Sequence, residues 1–383
     1  MARNPSDCSA NDELERAGRL TIRDQPSRRD QHFPPVSKSP VVTAENKDAQ
    51  LELFEGGARA GTRAQRQDTE LLKRVEREHA ESRAIAARLP AGVSFGTSSW
   101  SFPEWAGVVY SRRGSQAELA RDGLREYARH PLLTTVGIDR SFYAPIPKAD
   151  LERYGSQLPA GFPCVAKAPA AVVETTSRSR SGGRERNQDF LSATRFIDEL
   201  VAPFAESFRE HTGPFLLQFP PAPPEHRLAP REFAEKLEQF LGALPRDFSY
   251  AVDLRDATLL TDDYRRALAA HKAAHVYNFA TAMPMPADQE RVVPLEQASF
   301  ALVRLLLPPG STYDGRREEL RPFDRVSSPQ PEMRRQVLGL LRLAVERHVP
   351  ISILVNNKAE GCSPLTIRAL ADLLAGEGLK SKV

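Results

Sequence analysis

PFLLQFPPAPPEHRLAPREFAEKLEQFLGALPRDFSYAVDLRD (residues 214–256) reads as strand, helix, strand. PFLLQFPP (214–221) and SYAVDLRD (249–256) are short apolar runs with little polar alternation, as expected of parallel strands buried on both faces. Between them, Pro230–Leu241 opens with proline, which suits a first helical turn. The same unit recurs outward in both directions. Upstream lie VSFGTSSW (93–100), TTVGIDRSF (134–142) and PCVAKAPA (163–170). Downstream lie AAHVYNFA (273–280), FALVRLLLP (300–308) and ISILVNN (351–357).

Helix candidates fill most of the gaps: Gln116–Arg129, Asp189–Arg209, Asp262–His271, Pro331–His348 and Ser363–Leu374, the last opening with a Ser-Pro cap signal. The segments after the second and sixth runs are weaker. Eight strands alternating with helices predict an α/β fold, a (β/α)₈ TIM barrel. A doubly wound open sheet is the rival. It usually has fewer strands and calls for a Gly-rich phosphate loop, and neither GxGxxG nor GxxxxGK[ST] is present.

The chain has 383 residues, 40% hydrophobic and 27% charged, enough to bury a large core and too apolar for disorder throughout. No run of about eighteen apolar residues suggests a membrane span. Three cysteines without CxxC spacing exclude a disulfide scaffold and the usual zinc clusters, and fit a reducing cytoplasm. A net charge of +3 neither demands nor excludes nucleic acid.

Residues 1–90 are expected to form an N-terminal extension and residues 91–383 the barrel domain. Met1–Asn46 is polar and proline-punctuated, and is expected to be disordered. It has no apolar region of a secretory signal, and its acids argue against a transit peptide. Thr69–Leu89 is predicted helical, with Leu71, Leu72, Val75, Ile85 and Leu89 forming a rough stripe. A solvated or barrel-docked helix is the plain reading, and a partner-binding helix the other.

Chemistry in such a barrel is built at the strand C-termini. The polar residues there are Trp100 and its serines, Asp139, Ser141 and Tyr143, Lys167, Gln218, Asp253, Arg255 and Asp256, Asn278, Arg304, and Asn356 with Asn357. Lone charges inside buried strands are costly unless they share a polar site. An internal salt-bridge network would account for them. A compatible reading is a pocket for a small anion: Lys167, Arg255 and Arg304 as cations, with Gln218, Ser141, Tyr143, Asn356, Asn357 and Trp100 lining or orienting.

None of the eight histidines falls at a predicted strand C-terminus, so no histidine metal site is expected. No cofactor is expected, an oxygen-ligated Mg²⁺ on Asp139, Asp253 or Asp256 being the weak alternative. Cys362 lacks an evident base and reads as a loop cysteine, and Cys164 has outward parity. TTSRSRSGGRERN (175–187) reads as a flexible loop, or alternatively as a phosphate clamp or nucleic-acid contact. The aromatics of SSWSFPEWAGVVY could stack on a sugar or base, or pack the first loop.

Several segments resemble the YecE-like family, domain of unknown function 72, whose members are TIM barrels. GTSSWSFPEWAG (96–107) is similar to its opening motif, and TTVGIDRSFYAPIP (134–147), CVAKAPA (164–170) and GPFLLQFPP (213–221) to its next three. YAVDLRD (250–256), FALVRLL (300–306) and ILVNNKAEG (353–361) follow in the same order. The resemblance implies that Lys167, Gln218, Asp253, Arg255, Arg304, Asn356 and Asn357 are kept or conservatively swapped. Gly137 stands where the family has Glu, and Glu174, Asp256 and Leu306 where it has His. Asp139 replaces an Asn, Leu259 a Trp and Asn278 an Asp. The cationic part is thus retained while most proton-transfer candidates are replaced, leaving Asp253, Asp256 and Glu174.

The expectation is a cytoplasmic barrel protein that binds a small anionic, plausibly phosphorylated ligand and, if catalytic, hydrolyses or isomerises it. Asp253 or Asp256 would act as base, and Lys167 and Arg255 would stabilise charge. The alternatives are nucleic-acid binding or processing, or a degenerate barrel acting as a binding module.

Overall fold

Strands buried on both faces need one partner layer inside and another outside, and closure into a barrel supplies both. The computed structural model describes residues 44–178 and 183–379, with side chains from Gln65 onward. Eight parallel strands close on themselves: β1 (Val93–Thr97), β2 (Thr135–Ile138), β3 (Cys164–Lys167), β4 (Thr212–Phe219), β5 (Tyr250–Leu254), β6 (Ala274–Phe279), β7 (Ala301–Leu305) and β8 (Ile351–Val355). Each hydrogen-bonds its neighbours in sequence, and β1 pairs β8 from Val93↔Ile351 to Thr97↔Val355. The (β/α)₈ barrel is therefore present, and all eight apolar runs supply its strands.

Parity divides the apolar residues between two cores. Val165, Leu216, Ala251, Ala274, Val276, Leu302 and Leu354 pack together in the barrel interior. Alternate residues such as Phe95, Val136, Cys164, Phe215, Val252 and Ile353 join the larger core beneath the helices. The interior is tight beside β1 and β2. A Cβ on Gly96 would lie 2.1 Å from the Thr135 carbonyl oxygen, and one on Gly137 would lie 2.6 Å from that of Ser98. No side chain, glutamate included, fits at Gly137 without moving backbone.

The helices largely follow expectation. Ser115 and Glu118 form a reciprocal capping box on Gln116–Asp122, and Thr261 caps Asp262–His271. The weak segments after β2 and β6 carry the short helices Lys148–Gly155 and Pro286–Val292. The Ser363–Gly376 helix has Cys362, not Ser363, at its cap position. Ser363 instead gives both its amide and its hydroxyl to the Asn357 side chain, each at 2.8 Å.

Two segments differ from expectation. The N-terminal helix runs from Ala44 to Ala86, longer than the predicted Thr69–Leu89. Of the expected disorder over Met1–Asn46, residues 1–43 lie outside the described residues, while 44–46 begin this helix. One compact unit spans Gln67–Val383. Within it Leu71, Val75, Glu78, Ser82 and Ile85 are buried at helical spacing, and Arg368 pairs with Glu78 and Glu81. This part of the helix is docked on the barrel. In the 175–187 segment, Thr176–Arg178 and Arg184–Arg186 pair as an antiparallel ribbon where a loop was expected. Arg180 lies outside the described residues.

Candidate functional site

Above the apolar interior layer, the next inward positions of β3 to β7 are polar. Registers Gln218↔Asp253 and Asn278↔Arg304 set four of them side by side. Lys167 follows Val165 on β3, and Arg255 follows Asp253 just beyond β5.

Asp253 is the hub of this layer and is fully buried. Arg255 grips it through both oxygens, Nε to Oδ1 at 2.8 Å and Nη2 to Oδ2 at 2.7 Å. Arg304 donates Nη1 to Oδ2 at 2.7 Å, and Asn278 donates Nδ2 to Oδ1 at 2.6 Å. Gln218 Oε1 accepts from Arg304 at 2.7 Å and from Arg255 at 3.1 Å. Burial alone would raise the Asp253 carboxyl, but the Arg255 and Arg304 guanidiniums overcome it and hold it down at about 2. One carboxylate thus serves two arginines. Arg304 Nε and Asn278 Oδ1 remain buried without a hydrogen-bond partner among the described residues.

Lys167 has no such anchor. It is 8% exposed, and no hydrogen bond or ion pair engages its ammonium among the described residues. Its Nζ sits over the Phe142 ring, 3.6 Å from the centroid. Burial pushes the amine down to about 8; Arg304 and Arg255 push the same way, against Asp139 and Asp253. Around it lie partly buried Asp139 and Glu174. The Glu174 carboxyl is raised by burial, with Arg184 and Lys167 opposing. Tyr143, 52% exposed, stands within electrostatic reach of Asp139, Tyr313 and Glu174, and its hydroxyl is pushed up to about 12, mainly by burial. Lys358 Nζ lies over the Tyr313 ring at 3.9 Å.

The remaining candidates are tied elsewhere in the fold. Ser141 donates to the Lys167 carbonyl at 2.6 Å, fixing that strand end. Trp100 is buried, gives Nε1 to the Leu119 carbonyl at 2.9 Å and meets Tyr154 edge-on, so it packs the first loop. Asn357 secures Ser363, as above, and its Nδ2 is buried without a partner. Asn356 is half-buried and accepts from the Lys358 amide at 3.0 Å. Asp256 caps the turn that follows it through the Thr258 amide at 3.0 Å and hydroxyl at 2.7 Å, with Arg227 at 3.7 Å. Cys362 and Cys164 are buried free thiols, and burial pushes Cys362 up to about 12.

Among the described residues no group of three or more His, Cys, Asp and Glu side chains is poised to hold a metal, so Asp139, Asp253 and Asp256 do not converge as one. None of the helices described there is long and apolar enough to cross a membrane.

Sequence reading missed Phe142 and undervalued Asn278. The inward parity of Asn278, two residues beyond Val276, was available as a signal. Phe142 lies in a 3₁₀ turn, Arg140–Phe142, where strand parity no longer applies.

The sequence model of the protein family of unknown function DUF72 matches residues 94–382. The chain belongs to the DUF72 family. A DUF72 family protein from Enterococcus faecalis V583 has a similar structure, with a TM-score of 0.50, 17% identity, and 74% of this chain and 95% of that chain covered. A DUF72 family protein from Thermotoga maritima MSB8 covers 74% and 99% at 18% identity, with a TM-score of 0.47. The Enterococcus likeness bears on the fold alone. No curated protein matches the chain. Within this DUF72 chain, the residues before position 94 lie outside the matched region.

Proposed function

We propose that this DUF72 protein binds a small anionic, phosphorylated ligand at the C-terminal mouth of its barrel. The observation that carries the reading is the Lys167 ammonium: it is buried, beside two guanidiniums that share one carboxylate, and has no counter-charge in hydrogen-bonding contact among the described residues. Burying a cation without a partner costs several kcal/mol, by order of magnitude about 3–5. An incoming anion would offset that cost. The orphan Nε–H of Arg304 adds a donor without a partner.

Asp253 in this reading holds the cations in place, because its oxygens are taken by charged donors. Base work in a hydrolysis or isomerisation then falls to Asp256 or Glu174. A cytoplasmic location belongs to the same reading, in keeping with the free buried thiols.

Thermal melting with inorganic phosphate and a panel of sugar phosphates tests it. At ligand about a hundredfold above Kd, native-state binding stabilises by about 2.7 kcal/mol, a rise of a few degrees. Lys167→Ala and Arg255→Ala should each abolish the rise. Equal shifts in parent and variants would place the anion elsewhere, and no shift with any anion would remove the site.

A second reading is favoured by the ribbon that follows β3, whose Arg178, Arg184 and Arg186 are exposed. Together with the mouth it could track a nucleic-acid backbone. Oligonucleotide affinity falling steeply with salt, and weakened by Arg186→Ala, would support it.

A further inference from the structure

We propose that Lys167 is a nucleophilic amine that forms a Schiff base with its ligand, which makes the ligand class a small carbonyl compound carrying a phosphate. This rests on the anion-site reading above and adds a covalent step to it.

The geometry separates Lys167 from its cationic neighbours. Arg255 and Arg304 are locked by Asp253 and Gln218 and supply fixed charge. Lys167 stands at the C-terminal end of β3 with nothing bonded to its nitrogen among the described residues, and an aromatic face beneath it. A lysine kept only to balance charge would reach a carboxylate, yet both oxygens of Asp253 are already taken. Removal from water, with Arg304 and Arg255 adding to it against Asp139 and Asp253, brings the amine down to about 8, so near neutral pH a larger fraction than in an exposed lysine is the neutral amine that attacks a carbonyl. The charged groups around it are Asp139 beyond β2, Glu174 beyond β3, Asp253 and Arg255 on β5 and its end, and Arg304 on β7.

The step balances within the site. The Nζ lone pair attacks the carbonyl carbon and an N–C bond forms. Both hydrogens of the neutral amine pass to the former carbonyl oxygen, the C–O bond breaks, and that oxygen leaves as water while C=N replaces C=O. Glu174, in electrostatic reach of Lys167, relays these protons; burial keeps its carboxyl protonated to a higher pH than usual. No oxidant or reductant is consumed. The arginines would hold the phosphate.

Pyridoxal 5′-phosphate, an aldehyde bearing a phosphate, is the probe. The full chain is incubated with a substoichiometric amount near pH 7.5, reduced with borohydride, and its peptides mapped by mass. Lys167 should be labelled about tenfold or more above exposed lysines such as Lys148 and Lys236, because far more of it is unprotonated. Excess inorganic phosphate should suppress the Lys167 adduct, and pyridoxal without phosphate should label it less.

If Lys167 is not preferentially labelled while the probe still raises the melting temperature of the parent but not of Arg255→Ala, the amine inference falls and the anion site stands. If the probe neither labels Lys167 nor shifts melting, both fall. Because the map is read on the parent protein, the result does not depend on whether a Lys167 variant folds.

Discussion

Two buried carboxylates, one in the barrel mouth and one in the loop after β8, are built differently. Glu360 is fully buried and, among the described residues, is met by one cation. Arg334 binds it through both oxygens, at 2.9 and 2.7 Å, and the Gln330 amide adds a bond at 2.6 Å. Charge is matched one to one, and the pair fixes the loop before the last helix. Asp253 meets two guanidiniums, and a third cation, Lys167, stands close by without a bond to it. A matched pair closes on itself and serves the fold. Around Lys167 stand Asp139 and Glu174, neither bonded to it, so its charge is less closely paired than that of Glu360 with Arg334; in the proposed reading a ligand of opposite sign would complete the pairing.

The largest expected effect is therefore at the unmatched cluster. Asp253→Ala strands two guanidiniums, one of them 3% exposed. Glu360→Ala strands one, Arg334, which is 21% exposed. Urea unfolding should show Asp253→Ala destabilised by about 3–5 kcal/mol and Glu360→Ala by distinctly less. Added phosphate should recover part of the first loss and none of the second. Equal losses, with equal response to phosphate, would erase the distinction.

Lys167 sharpens the contrast through pH. Its amine is lowered in the folded protein to about 8 from an ordinary 10.5. Between those values the unfolded chain binds more protons than the native one, so stability contributed at this site rises with pH. The penalty is full below about 8 and is relieved progressively up to about 10.5, by an amount on the order of 3 kcal/mol. Burial raises several tyrosine hydroxyls in the folded protein, so their ionisation in the unfolded chain acts with opposite sign toward the alkaline end of this window. The measurement is thus the difference between parent and Lys167→Met across pH 8 to 10, a window set by the Lys167 shift. The parent should gain on the variant as pH rises. A flat difference would mean that the amine is already neutralised by a carboxylate.

The two regions also differed in how plainly they could be read from sequence. The strands were legible because burial on both faces leaves contiguous apolar runs, and their parity carried Lys167, Gln218, Asp253, Arg255 and Arg304 to the interior side. Parity ends with the strand. Ser141 sits in a 3₁₀ turn and bonds backbone, Asn357 faces the last helix, and Trp100 is claimed by Leu119. Each is placed by the local path of a loop, which no alternation encodes. The Glu360–Arg334 pair lies in or beside such a loop, and no residue pattern announces it. The sharing of Asp253 between two arginines was also hidden, since strand spacing shows which residues face one another but not how their charges divide.

The smallest expected effect is that of Arg255→Met, set against Arg334→Met at the matched pair. Arg334→Met takes away the sole cation that the described residues place on a buried carboxylate and should cost about 3–5 kcal/mol. Arg255→Met leaves Asp253 with Arg304 at 2.7 Å and Asn278 at 2.6 Å, so its charge stays compensated. It also relieves the electrostatic pressure of Arg255 on Lys167. Its cost should be only about 1 kcal/mol, the net worth of hydrogen bonds whose remaining partners are still satisfied. If Arg255→Met proved as damaging as Arg334→Met, Asp253 would need both guanidiniums for folding alone. The gathering of cations at the mouth would then be a structural requirement, and no place for an anion would follow from it.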